Sequence, residues 1–76
     1  MQCNYDQYKV VAEADNDTEE RATALGILRR AYTNRTQVYR VYDTEDSART
    51  AVAVLSARGI AVAIYGRYWS GNWQPI

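Results

Sequence analysis

Apolar and polar positions along this chain switch repeatedly between a two-residue and a helical period, and each switch predicts an element. Tyr8 to Ala14 alternates loosely, with Val10 and Val11 at its centre, and reads as a first strand. From Asp17 to Thr33 the spacing becomes helical and sets Leu25, Leu28 and Tyr32 on one face. Asp17 is the expected N-cap, Glu20 can bond back to it in a capping box, and Asn34 is the expected stop. Gln37 to Asp43, dominated by Val38, Tyr39, Val41 and Tyr42, is the second strand. A second helix is expected from Thr44 to Arg58, with Ala48, Ala51, Val52 and Leu55 as its stripe and Gly59 as its left-handed end. Ile60 to Tyr68 is the third strand. Turn residues between Trp69 and Trp73 then predict a hairpin and a short edge strand ending at Pro75.

These elements define an α/β (α+β) two-layer sandwich in one compact domain, residues 1–76. Its order is β-α-β-α-β with a short fourth C-terminal strand, and both helices lie on one face of a three- to four-stranded sheet. Short connections make the main strands mutually parallel or split by a neighbour. On the third strand Ile60, Val62 and Ile64 share one face; Ala61, Ala63, Tyr65, Arg67 and Trp69 share the other. The aliphatic face is assigned to the helices, which leaves the aromatic face open or covered by a partner. Gly26 inside the first helix costs about 1 kcal/mol relative to alanine, and close packing is its expected reason.

Composition sharpens the aromatic face. The chain has seven tyrosines, two tryptophans and no phenylalanine. Tyr and Trp suit places where one end is apolar and the other wet, as at interfaces. Nine cationic side chains, eight of them arginine, balance nine acidic ones. Zero net charge argues against a strong electrostatic grip on nucleic acid or membrane and eases self-association, so a homodimer is expected. A chain of 76 residues buries only about 60% of its unfolded surface, which also favours a partner. Cys3 is the only cysteine and reads as a free thiol in a reducing compartment. With no apolar run of signal-peptide or membrane-spanning length, the expected location is cytoplasmic, in its own cell or an infected host.

Acids gather at the two expected helix starts: Asp15, Asp17, Glu19 and Glu20, then Asp43, Glu45 and Asp46. If the strands are parallel, both groups share one sheet edge. A calcium loop is excluded, because Glu20 stands where its glycine is required and Gly26 where its last glutamate is required. Helix capping and dipole compensation account for these acids, as they do for Arg29, Arg30, Arg35 and Arg58 near the helix ends. The result would be one acidic and one basic end. No cofactor or metal is expected. Histidine is absent, Ser70 lacks the glycine frame of a nucleophile elbow, and no glycine-rich phosphate loop follows a strand, so the chain is read as non-enzymatic.

Val38-Tyr39-Arg40-Val41-Tyr42, the acidic helix start after it and Leu55-Ser56-Ala57-Arg58-Gly59-Ile60 resemble the second half of a SPOR domain. That resemblance covers about a third of the chain and implies a peptidoglycan-binding module. Such a fold carries a strand hairpin between its halves, whereas only Asn34 to Gln37 separates the expected first helix from the second strand. The reading taken instead is a small binding protein acting on another protein through an aromatic and arginine surface, an inhibitor or adaptor of the kind phages encode. Its partner-binding residues are Tyr39, Tyr65, Arg67, Trp69 and Trp73. The alternative is a single-stranded nucleic-acid-binding module on the same sheet face, where rings and arginine resemble a base-stacking platform. Ile64-Tyr65-Gly66-Arg67-Tyr68 lacks the glycine-aromatic consensus of an RNA-recognition strand.

Overall fold

A computed structural model describes residues 5–76. It is an α+β domain in which two helices cover one face of a five-stranded antiparallel sheet. The elements are β1 (Gln7–Glu13), α1 (Glu19–Ile27), β2 (Tyr32–Thr33), β3 (Gln37–Tyr42), α2 (Glu45–Ala57), β4 (Val62–Arg67) and β5 (Gln74–Pro75). Sheet order is β2-β3-β1-β4-β5, so β1 lies at the centre between β3 and β4. Cys3 lies outside the described residues.

The first helix is shorter than its periodicity suggests. Thr18, not Asp17, caps it: the Thr18 hydroxyl accepts a hydrogen bond from the Arg21 amide at 3.1 Å. Asp17 sits in the left-handed region at φ 61°, within the turn that leads in. The helix ends at Ile27, and Arg30 at φ 59° turns the chain back. Gly26 has nothing within 4 Å of where a Cβ would stand, so close packing is not its reason. It weakens the last turn, which then gives way.

That early end frees Tyr32 and Thr33 to form β2, which pairs with β3 through Tyr32↔Tyr39 and Thr33↔Val38. Asn34 belongs to the intervening turn. Its amide donates to the Gln37 carbonyl, and its Oδ1 accepts from the Thr36 amide, both at 3.0 Å. The strand hairpin for which the sequence left no room is therefore present. Arg21 ties the corner together by donating to the carbonyls of Ala14 at 2.9 Å and Asn34 at 2.6 Å.

The extra strand reverses the chain, and this overturns the expectation that the first two main strands run in the same direction. β3 runs antiparallel to β1, with Tyr8 opposite Tyr42 and Glu13 opposite Gln37. β4 is also antiparallel to β1, so β3 and β4 point the same way but are split by β1. One acidic edge therefore does not form. Asp15 to Glu20 follow the C-terminal end of β1; Asp43, Glu45 and Asp46 follow the C-terminal end of β3, at the opposite end of the sheet. Nor is there a basic end, since Arg58 lines a recess with Glu19 and Glu20, and Arg35 lines another with Asp15.

Alternation places Tyr8, Val10 and Ala12 of β1 beneath the helices, where they meet Ala24 of α1, Leu28 at its C-cap and Ala48, Ala51 and Leu55 of α2. Thr44 caps α2 by accepting from the Ser47 amide at 3.3 Å, and Gly59 at φ 76° supplies the expected left-handed end. β4 begins two residues later than expected. Its Val62 and Ile64 pack against the core, while Ala63, Tyr65 and Arg67 look the other way, as the alternation implies.

Candidate functional site

On the side away from the helices, cross-strand registers bring together side chains that are far apart in sequence. Lys9 of β1 is at the centre, opposite Tyr65 of β4 on one side and Val41 of β3 on the other. One step along, Val11 faces Tyr39 and Ala63; one step back, Gln7 faces Arg67. Tyr32 joins from β2 in register with Tyr39, and Trp73 enters from the residue before β5. Four strands and the residue before the fifth contribute to one row.

The row is held by contacts between rings and cations. The Lys9 ammonium lies 5.6 Å from the Tyr39 ring centroid, 5.5 Å from that of Tyr65 and 4.9 Å from that of Trp73. The Arg67 guanidinium lies 4.5 Å from the Trp73 ring and donates through Nε to Gln7 Oε1 at 2.8 Å, which fixes the plane of the fork. Tyr32 stacks on Tyr39 with centroids 5.7 Å apart and an interplanar angle of 28°. Such contacts are worth about 0.5–1 kcal/mol each at exposed sites, enough to orient side chains but too little to lock them.

Electrostatically the row is one-sided. Among the described residues neither Lys9 nor Arg67 has a carboxylate partner; the ion pair that does form joins Arg49 to Glu45 on α2. Glu13, the acid on this face of β1, lies at its far end and accepts from Gln37 Nε2 at 2.9 Å. Burial among the rings holds the Lys9 ammonium below the usual lysine pKa, and the nearby positive charge of Arg67 pushes in the same direction. Two unneutralised cations thus sit at the heart of an aromatic surface.

Of the residues expected to bind a partner, Tyr39, Tyr65, Arg67 and Trp73 share this face. Trp69 does not join them. It lies in the turn beyond β4, 69% exposed, with its amide donating to Asp6 Oδ2 at 2.8 Å. Sequence reasoning missed Lys9 and Tyr32. Lys9 was legible in the alternation of β1, which sets it on the face opposite Val10. Tyr32 was hidden because it also continues the helical spacing of Leu25 and Leu28.

Surface recesses elsewhere, such as that of about 310 Å³ lined by Glu19, Glu20, Thr23, Arg58 and Ile60, are open to solvent. No group of three or more metal-ligating side chains occurs among the described residues, and no helix there is long and apolar enough to cross a membrane. No family model, curated protein or solved structure matches this chain.

Proposed function

We infer that this protein is a non-enzymatic binding module that takes its partner on the open face of the sheet. The observation that carries the reading is the continuous row Tyr32, Tyr39, Lys9, Tyr65, Trp73 and Arg67, drawn from four strands and the residue before the fifth and directed away from the core. Tyr, Trp and Arg are the side chains that dominate binding hot spots, and here they are presented together on a rigid element. The partner's chemistry follows from the row: flat or apolar groups to cover the rings, and negative charge to meet Lys9 and Arg67.

A partner protein would meet this face with carboxylates and apolar side chains; a nucleic-acid strand would meet it with phosphates and bases. The homodimer expected from composition fits less well. A two-fold axis through the row would set Lys9 and Arg67 against their own copies, an unfavourable like-charge contact. Of the two SPOR-like stretches, Val38–Tyr42 gives the row only Tyr39 as a ring, and Leu55–Ile60 supplies the end of α2. They do not select the ligand.

Site-specific photo-crosslinking in lysate of the cells that express the protein tests the choice of face. A photoreactive residue at position 65 or 73 is expected to give a discrete adduct, and one at position 49, on the outer side of α2, is not. Adducts from position 49 alone would place the contact surface on the helices.

A further inference from the structure

We propose that the open sheet face binds single-stranded nucleic acid, stacking bases on Tyr65, Trp73 and Tyr32 while Lys9 and Arg67 take phosphates. This rests on the sheet-face reading above and commits it to one class of partner.

Charge is the first argument. Interface cores between proteins are depleted in charged residues, lysine among them. Here a lysine with no carboxylate partner among the described residues stands at the centre of the row, ringed by Tyr39, Tyr65 and Trp73, with Arg67 beside it. A protein surface would have to bury carboxylates there. A nucleic-acid strand brings phosphates that remain partly solvated beside bases that cover rings.

Size is the second. Five strands about 4.8 Å apart, each of two to seven residues at about 3.3 Å, give a face on the order of 400 Å². A few nucleotides laid across the strands fill a face of that footprint.

Exchange of contacts is the third. In the free protein the rings are occupied by the protein's own cations. A base stacks on an aromatic ring more strongly than an exposed cation does, and a phosphate is a better partner for Lys9 or Arg67 than a ring. Both halves of the exchange favour the strand. With two phosphate contacts and zero net charge on the whole chain, the salt dependence should be shallow, with a slope of about −1.4.

Fluorescence anisotropy of the full chain with labelled oligouridine and oligothymidine of about eight nucleotides tests this. Trp73→Ala and Tyr65→Ala are expected each to weaken binding about tenfold or more. Lys9→Gln should make the salt slope shallower by about 0.7, and Trp69→Ala should change neither quantity. Where a substitution unfolds the chain, Trp69→Phe leaves Trp73 as the sole tryptophan, and its fluorescence should be quenched as oligomer is added. Absence of binding to either oligomer, equal affinity for duplex, or indifference to the ring and Lys9 substitutions would overturn the proposal. If the oligomers fail while the crosslinker at position 65 still captures a protein, the nucleic-acid assignment falls and the sheet-face reading stands. If position 65 is silent and position 49 is not, both fall.

Discussion

β1 supplies neighbouring residues to two surfaces that follow different rules. Toward the helices, Val10 and Ala12 are 0% exposed and Tyr8 is 3% exposed, with the Tyr8 hydroxyl accepting from the Tyr5 amide at 3.0 Å. On the other face, Gln7 and Lys9 keep part of their surface and Glu13 is exposed, while Val11 is only 6% exposed. The helix side uses aliphatic residues and alanine, closely fitted, with its one buried ring satisfied by a hydrogen bond. The open side uses rings that each keep a polar atom, interleaved with cations. This division explains a chain without phenylalanine: the small core needs no purely apolar ring, and the outer face needs rings that tolerate water.

The comparison breaks most readily on the helix side. Leu55→Ala removes a side chain with 0% exposure and should cost about 2–5 kcal/mol, a large share of the stability of so small a domain. Denaturant unfolding should show the midpoint collapse; a loss below about 1 kcal/mol would mean that the core is loosely packed.

Gly66→Ala comes next. A Cβ there would stand 2.6 Å from Cγ of the Tyr5 ring, so that ring must be displaced. We expect a loss of about 1–3 kcal/mol, largely abolished when Tyr5 is also replaced by alanine. A double-mutant cycle without coupling would refute the contact.

Trp73→Ala, on the open side, should cost about 1–2 kcal/mol in stability, the worth of its two cation–ring contacts, although it removes a larger side chain than Leu55→Ala does. A loss above 2 kcal/mol would make the ring row a second core instead of a contact surface.

The smallest effect concerns Lys9. Its ammonium should titrate below 10.5, and Arg67→Gln should move it part of the way back, because burial among the rings remains. Since folding lowers this pKa, the unfolded chain holds more protons between the two values. Lys9 therefore adds to stability as pH rises from its folded pKa toward 10.5, and that gain is lost as pH falls again. NMR of the Lys9 side chain would check both the direction and the response to Arg67.

How legible the molecule was in its sequence depended on length. α2 and the three long strands each carry enough residues to display a period, and their faces were assigned correctly on β4 from alternation alone. β2 is two residues long, too short to show any period, and Tyr32 continues the helical spacing of α1 by coincidence. Missing β2 lengthened the helix, hid the chain reversal and made the first two main strands parallel. From that single error followed the acidic edge. Four members of the ring row were found by residue type and strand position. Lys9 was not, because a lone lysine in a strand reads as a solubilising group until its cross-strand neighbours are known to be rings.

The strands at the two margins of the sheet, β2 and β5, are only two residues long, and β5 ends at Pro75, which has no amide hydrogen to offer. A foreign strand seeking to extend the sheet would find at either margin a stretch too brief to template it. The same brevity guards against edge-to-edge polymerisation at high concentration, a hazard for any small protein built on a five-stranded sheet. Concentrated solutions should remain free of cross-β fibres even when the aromatic face is unoccupied.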